Sequence, residues 1–173
     1  MSSITRPIIT PVLDELKNSL LVKMGGIGTE NPKSRNLNED EMSLLSTVSP
    51  NAVQSIRAFR SLDLQLEATA TGQHFLYADC SSTQDKLQVL SCVANAFGFP
   101  AHFGHNFDAL YDCLTDLVHK SGQQNGFVIV VEHLPNTEHF DKELRETLLD
   151  VFRDAADYWA KKKVAFRVFY SFE

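Results

Sequence analysis

The sequence contains little of what several large classes of protein require. Its three cysteines, Cys80, Cys92 and Cys113, are odd in number and form no C-x-x-C pair, which disfavours a disulfide framework. We therefore expect all three to be reduced, buried thiols. No window approaches the roughly 18 uninterrupted apolar residues of a membrane span, and the amino terminus lacks the basic, apolar and small-residue order of a signal peptide. These absences predict a soluble, cytoplasmic protein with no membrane partner.

Basic residues are also in short supply. The chain has 16 Lys and Arg residues against 22 Asp and Glu residues, which gives a net charge of −6. Because contact with phosphates needs clustered cations, this balance disfavours direct binding of nucleic acid and favours a partner that is itself basic. With 173 residues, of which 43% are hydrophobic, the chain is long enough for one domain with a real core plus an extension.

The first part of the chain is less regular than the rest. Residues 1–48 are predicted to hold a helix, which begins after Thr10 and ends near Gly25, followed by a polar linker. Ser49 is predicted to begin a second short helix within residues 49–73, which lead into the core. Neither helix is long enough to be stable without packing against something else.

Residues 74–173 alternate between apolar strands and helical patterns. Three short apolar runs, HFLYADC, GFVIVVE and VAFRVFYSF, are predicted to be strands. Strands that are apolar on both faces and separated by helices are typical of a parallel sheet. Ser82 and Asp85 resemble a capping box at the start of the first crossover helix, and Gly98 marks its end. We predict an α/β fold with a three-stranded parallel sheet, crossover helices and a helical amino-terminal extension.

One segment, FGFPAHFGHNFDALYDCLTDL, carries three acids and no Lys or Arg. Asn106 is a good N-cap for a helix that would run to about residue 119 or 120. Residues four apart on a helix lie nearly in line, so Asp108, Asp112 and Asp116 are predicted to form one exposed row. The leucines of the segment fall on the opposite side of the helix, which is predicted to face the core.

This row of acids costs stability locally. An acid in the first turn interacts favourably with the helix dipole, by about 0.3–1 kcal/mol, and Asp108 lies there. Asp112 and Asp116 have no such gain, and like charges four residues apart cost about 0.2–0.5 kcal/mol per pair. A row of acids flanked by aromatic and histidine side chains therefore indicates a contact surface for a cationic partner. The alternative is a solvated face with no role.

Residues Phe103–Leu114 read FGHNFDALYDCL. They match, position by position, the motif F-G-x-N-(aromatic or Leu)-D-A-L-(Trp or Tyr)-D-x-L of the barstar family, bacterial inhibitors of the secreted ribonuclease barnase, which this chain resembles. The preceding GFP and the later VFRDA also agree with family habits. The resemblance extends from His74 to Phe172 and implies the barstar fold for these residues.

In the barstar family the loop and helix of this motif plug the ribonuclease active site, and the aspartates occupy the place of RNA phosphates. The resemblance implies that Asp108 and Asp112 are the main acids, and that Asp154 of VFRDA is a further acid facing the enzyme. It also implies ring contacts from His102 and Tyr111. The full set of predicted partner-binding residues is His102, Phe103, Gly104, His105, Asn106, Asp108, Tyr111, Asp112, Thr115, Asp116 and Asp154.

Three positions depart from the family pattern. His102 stands where the family has Tyr, His105 where it has Glu, and Leu117 where it has Trp. The loss of an acid and a large ring suggests a target other than barnase. Because the two central aspartates are present, the resemblance still favours a target built around a phosphate-binding cluster.

Two other functional classes compete with this prediction. The spacing His102-x-x-His105-x-x-Asp108 could suggest a metal site of an enzyme, but two of these residues precede the helix and no further ligand set follows. Cys113 is better explained as a small hydrophobe than as a nucleophile, and no hydrolase or nucleotide-binding motif is present. The second class is a barstar-like module with a non-nuclease regulatory partner.

The sequence therefore predicts a protein that is not an enzyme and has no cofactor, metal or catalytic residue. Its predicted function is that of an immunity protein, or antitoxin, of a bacterium. It would bind a ribonuclease or related nuclease toxin with a basic active site and block that site with the acidic helix.

Overall fold

The computed structural model describes residues 43–117 and 122–173, so the helix predicted after Thr10 lies outside the described residues. The strands are β1 (Asn51–Ser55), β2 (His74–Asp79), β3 (Gly126–Leu134) and β4 (Ala165–Phe172). The helices are α1 (Ser61–Ala70), α2 (Lys86–Ala96), α3 (Phe107–Thr115) and α4 (Lys142–Lys161). Two short 3₁₀ helices, Leu44–Thr47 and Ile56–Ala58, flank β1.

The four strands form one parallel sheet in the order β1-β4-β3-β2. In the register of the two inner strands, Ile129 of β3 lies beside Val168 of β4. Both residues have no exposed surface, as expected for strands that are covered on both faces. The parallel α/β architecture was predicted from the apolar runs and is present.

The predicted number of strands and the predicted helix at Ser49 are wrong. Residues Asn51–Ser55 form a fourth strand, β1, which pairs with β4 from Asn51 opposite Phe166 to Ser55 opposite Tyr170. The side-chain amide of Asn51 donates to the carbonyl oxygens of Ala156 (3.1 Å) and Val164 (3.0 Å), which fixes the start of the strand. The apolar spacing after Ser49 matched a helix by coincidence, because pairing with a distant strand decides the conformation here.

Helices cover both faces of the sheet. Helix α1 supplies Leu64 and Ala68 to a cluster on one face, against Val128 and Val130 of β3. Helices α2, α3 and α4 pack on the other face in the larger core cluster. Within residues 43–117 and 122–173 no helix is both long and apolar enough to cross a membrane.

The ends of two helices differ from the sequence prediction. Helix α2 begins at Lys86, because Asp85 and not Ser82 is its N-cap and accepts from the Gln88 N–H at 2.9 Å. Gly98, with φ +64°, follows its end as predicted, since this conformation favours a residue without a Cβ atom. Helix α3 already ends at Thr115.

Trp159 of α4 ties two helices together beneath the sheet. Its indole Nε1–H donates to the carbonyl oxygen of Leu114 in α3 at 3.0 Å. Its ring lies 5.0 Å from the ring of Phe127 and 6.5 Å from that of Phe166, measured between centroids. Trp159 is only 3% exposed, so it fixes the position of α3 relative to α4 through both packing and a buried hydrogen bond.

His133, near the carboxyl end of β3, has a strained backbone conformation. His133 has φ +56° where the pairing of β3 with β4 shifts register. Its Nδ1 atom lies 2.9 Å from the Asp79 carboxylate, and its backbone N–H donates to Ser171 Oγ at 3.0 Å. The hydrogen bond from His133, followed by that from the Ser81 N–H, lowers the pKa of Asp79. The same hydrogen bond raises the pKa of His133.

This pair predicts a small, pH-dependent contribution to stability. The raised pKa of His133 adds stability that is complete below about pH 6.5 and is lost as pH rises through the folded pKa. The lowered pKa of Asp79 adds stability that is lost as pH falls through its folded pKa. We expect His133→Asn, which retains a residue that tolerates positive φ, to be less stable than wild type by well under 1 kcal/mol near pH 5. In urea unfolding the difference should shrink above about pH 8, and a constant difference from pH 5 to 9 would contradict the assignment.

Candidate acidic interaction site

Helix α3 is positioned by its cap and by its buried face. The side-chain oxygen of Asn106 accepts from the Ala109 N–H at 2.8 Å, which confirms the predicted N-cap. Leu110 and Leu114 have no exposed surface and anchor the helix in the core. Asp108 and Asp112 are exposed on the other side. The short helix thus has one face in the core and one acidic face in solvent.

The N-cap gives a direct test of how α3 is held. Replacing Asn106 by Ala removes the acceptor for the Ala109 N–H and is expected to lower the free energy of unfolding by about 1 kcal/mol. Asn106→Asp keeps an acceptor at the same place and should retain most of that stability. Chemical denaturation of both variants would check this, and equal losses for Ala and Asp would contradict a capping role.

Helix α4 forms the second wall of the site. An open groove of about 480 Å³ lies between the exposed sides of α3 and α4. It is lined by four carboxylates, two from each helix, together with two tyrosines and three further side chains. These residues are Phe107, Asp108, Tyr111, Asp112, Val151, Asp154, Asp157, Tyr158 and Lys161. Residues far apart in sequence therefore present their acids to one space, the acidic groove.

The carboxylates of the acidic groove are not neutralised by ion pairs within residues 43–117 and 122–173. No nitrogen of a described Lys, Arg or His lies within 4.0 Å of the carboxylate oxygens of Asp108, Asp112, Asp154 or Asp157. Arg153, next to Asp154 in sequence, instead pairs with Asp150 at 2.6 Å.

Three cations approach the rim of the groove. Lys161 is itself one of the lining residues. The Nζ atoms of Lys86 and Lys162 lie 4.3 Å and 4.7 Å from the ring centroids of Phe107 and Tyr158, respectively. Two of the lysines thus lie over lining rings, and the third lines the groove together with the four acids.

The loop before α3 is supported from below by aromatic rings. Phe103 is 6% exposed and lies 5.3 Å from Phe99 and 5.0 Å from His105 between ring centroids. It was included among the predicted contact residues, but the structure places its side chain in the core. His102, Gly104 and His105 are exposed on this loop.

Two backbone features shape the loop. His105 has φ +47°, a left-handed conformation that costs a residue with a Cβ atom about 1–2 kcal/mol. A Cβ atom at Gly104 would lie 3.1 Å from Asn106 Nδ2, so a larger residue there would crowd the cap of α3. These two residues therefore constrain the backbone conformation just before α3.

Not all of the predicted row lies in the acidic groove. Helix α3 ends at Thr115, and Asp116 is its C-cap. Asp116 lines a different depression of about 200 Å³ together with His102, and Asp112 lines both spaces. The Thr115 hydroxyl donates to the carbonyl oxygens of Tyr111 and Asp112 at 3.0 and 3.1 Å, so it is used within the helix.

The structure also adds residues that sequence reasoning missed. Asp157, Tyr158 and Lys161 line the acidic groove beside Asp154. A helical signal for them exists, since residues 154, 157, 158 and 161 have the spacing of one helix face. This spacing alone does not indicate a site, because the opposite wall of the groove, α3, comes from a distant part of the sequence.

The histidines of the motif do not form a metal cluster in the described part of the chain. No group of three or more His, Cys, Asp or Glu side chains there is arranged to hold a metal ion. The spacing His102-x-x-His105-x-x-Asp108 accordingly does not bring its members together as ligands. What the site offers is a charged surface with aromatic rims.

Comparison with known proteins identifies the family of the chain. The family model described as barstar (barnase inhibitor) matches residues 73–171, which is more than half of the chain. The chain belongs to the barstar family. Members of this family are inhibitors and not enzymes. No match was found among curated proteins.

The barstar match maps directly onto the elements that build the site. Residues 73–171 include β2, α2, α3, β3, α4 and nearly all of β4, so both walls of the acidic groove lie inside the barstar region. Strand β1 and helix α1 precede it. The additional strand, β1, is therefore contributed by residues outside the matched barstar segment.

Proposed function

We propose that this protein binds a ribonuclease-like toxin and blocks its active site with helix α3 and the acidic groove. The observation that carries the proposal is the meeting of four exposed carboxylates, from two helices, in one groove where no described cation pairs with them. Ribonuclease active sites hold cations around the scissile phosphate. A fixed set of carboxylates can occupy the same place as the phosphates of RNA.

The charges of the groove are better explained by binding of a partner than by the stability of the free protein. Like charges at Asp108 and Asp112 destabilise α3 in the free protein by about 0.2–0.5 kcal/mol. Against a basic active site, the same charges accelerate encounter and disfavour partners of the wrong charge. Close charge pairs in the barnase–barstar complex itself contribute about 1.5–7 kcal/mol of coupling; those values belong to that complex and only set the scale here.

The rigidity of the groove supports inhibition as well as attraction. The walls are joined through the hydrogen bond from Trp159 to Leu114, and the start of α3 is held by Asn106. A preformed surface loses little conformational entropy on binding, so more of the interaction energy appears as affinity. In the cell that makes the toxin, such a protein would serve as an immunity protein.

The proposal predicts a strong dependence of association rate on salt. The protein should be mixed with barnase, and with a nuclease encoded beside its own gene, in stopped-flow experiments at low and high ionic strength. We expect at least one of these nucleases to be inhibited stoichiometrically, with the association rate falling tenfold or more as salt rises.

Two outcomes would contradict the proposal. One is undiminished RNA cleavage by both nucleases in the presence of excess protein. The other is binding that leaves RNA cleavage intact, which would instead support the reading of the chain as a regulatory binding module.

A further inference from the structure

Three of the five exposed large hydrophobic side chains in the described residues cluster beside one groove. Leu62 and Leu66, one helical turn apart on α1, are each 62% exposed, and Tyr77 of β2 is 40% exposed. A groove of about 340 Å³ between α1 and β2, the α1–β2 groove, is lined by Ser61, Leu62, Gln65, Phe75 and Tyr77. Single exposed apolar side chains are ordinary, but a cluster of them beside a groove indicates a contact surface.

Strand β2 forms an edge of the sheet beside this groove. Among the described strands it pairs only with β3, from His74 opposite Phe127 to Asp79 opposite Glu132, without a shift in register. Its sequence, HFLYAD, contains no Pro or Lys, and the regular pairing shows no bulge. Edge strands use such features to avoid pairing with another chain, so this edge is unprotected.

The backbone of β2 offers two residues to a further strand. The Cys80 N–H donates to the Glu132 carbonyl oxygen at 2.8 Å, so Cys80 directs its hydrogen-bonding groups toward β3. Because this direction alternates along a strand, the N–H and C=O groups of Phe75 and Tyr77 point away from the sheet. The side chains of the same two residues line the α1–β2 groove. One incoming segment can therefore meet both their backbone groups and their rings.

Two carboxylates lie at the carboxyl end of β2. Glu132 accepts from the Tyr77 hydroxyl at 2.8 Å and forms no ion pair with a described cation. The Asp79 side chain is 46% exposed, and its Oδ1 atom lies 2.9 Å from His133 Nδ1. Alternation along the strand places Asp79 on the same face as Phe75 and Tyr77. Two acids beside one histidine favour a Lys or Arg of a partner at this end of the groove.

We propose that the α1–β2 groove binds an extended peptide segment of a partner protein, which adds an antiparallel strand to the edge of β2. Antiparallel pairing is the more stable of the two directions. The peptide residues opposite Tyr77 and Phe75 direct two apolar side chains toward Leu62 and Leu66. A basic residue two positions before the first of them lies opposite Asp79. The motif is therefore Lys or Arg, any residue, apolar, any residue, apolar.

A second copy of this chain fits the edge less well than such a peptide. Strand β2 contains no Lys or Arg, so pairing of two β2 strands would place neither opposite the acids. The proposed site is also separate from the acidic groove, since no residue lines both. Peptide binding is accordingly expected to leave inhibition of a nuclease unchanged, and the two proposals stand or fall separately.

The experiment uses the full-length protein and the acetylated, amidated peptide Thr-Lys-Thr-Val-Thr-Ile-Thr. Amide hydrogen exchange is followed by NMR with and without the peptide at saturation. We expect exchange at Phe75 and Tyr77 to slow at least tenfold, while the amides of Leu76 and Ala78, which face β3, change little. In titrations, the same peptide with Glu in place of Lys, and the peptide in reverse order, should each bind about tenfold more weakly or worse.

Variants of the groove provide a second readout. The double variant Leu62→Gln, Leu66→Gln removes apolar surface from exposed positions and should weaken peptide binding about tenfold. Leu87→Gln is the matched control, because Leu87 is 60% exposed on α2 and does not line the α1–β2 groove. This control should bind the peptide as wild type does, and an equal loss in both would contradict the assignment.

Three further results would overturn the proposal. One is unchanged exchange at Phe75 and Tyr77 with peptide at about 1 mM, a concentration at which even a weak complex forms. Another is equal binding of the peptides with Lys and with Glu. The third is slow exchange of both amides before any peptide is added. That result would assign the edge to a second copy if it depends on protein concentration, and to another segment of this chain if it does not.

Discussion

Replacing Asp108 and Asp112 together by Asn is expected to weaken binding to an inhibited nuclease by more than a hundredfold, equivalent to roughly 3 kcal/mol or more. Both side chains are exposed in the acidic groove, and no described residue forms an ion pair with either. Asn preserves their size but removes the charge that would meet the cations of the target. Isothermal titration or surface plasmon resonance would measure the loss.

A control variant separates local from overall charge. The double variant Glu138→Gln, Glu143→Gln also removes two negative charges, but from exposed positions outside the acidic groove. We expect this control to bind within a few-fold of wild type, because screening weakens the effect of distant charges. Wild-type affinity in the Asp108, Asp112 variant, or an equal loss in the control, would count against mimicry of RNA phosphates by the groove.

Replacing Trp159 by Ala is expected to lower the free energy of unfolding by about 3–5 kcal/mol. The change leaves a cavity against the rings of Phe127 and Phe166, and it removes the donor to the buried carbonyl oxygen of Leu114. For a chain of this size the melting temperature should fall by roughly 10 °C. Calorimetry or urea denaturation would measure the effect.

Trp159→Phe is the informative companion to that variant. It keeps an aromatic ring in the core but still leaves the Leu114 carbonyl oxygen without its donor. We expect a loss of about 1–3 kcal/mol, which isolates the hydrogen bond and the missing ring volume from the larger cavity. If Phe and Ala destabilise equally, packing beside Phe127 is not what holds α4 in place.

The part of the site that follows from local rules could be predicted from sequence. Asn106 as N-cap, and the exposure of Asp108 and Asp112 opposite Leu110 and Leu114, follow from residue type and helical period alone. The matching of residues 103–114 to the barstar motif identified the family, and the family match confirms it. The identity of the contact residues stays a prediction.

The parts that were missed depend on contacts between distant residues. Strand β1 exists because β4 offers it a partner 115 residues away, from Asn51 to Phe166, and no local pattern reveals that pairing. Asp157 joins the site only because α4 packs beside α3. Asp116 does not continue the predicted row, because α3 ends one residue before it. The periodicity of apolar residues does not determine the last residue of a helix.

Strand β1 and helix α1 lie outside the matched residues 73–171, yet they complete the core on one face of the sheet. The family match begins at residue 73, yet the preceding residues shield one whole side of β3 and β4, where Val128, Val130 and Phe169 are wholly covered. A truncated chain that starts at residue 73 would expose these apolar side chains to solvent, and we expect it to precipitate or self-associate. Transplanting the acidic groove into another protein would therefore require the 3₁₀ helices, β1 and α1 in addition to the matched residues 73–171.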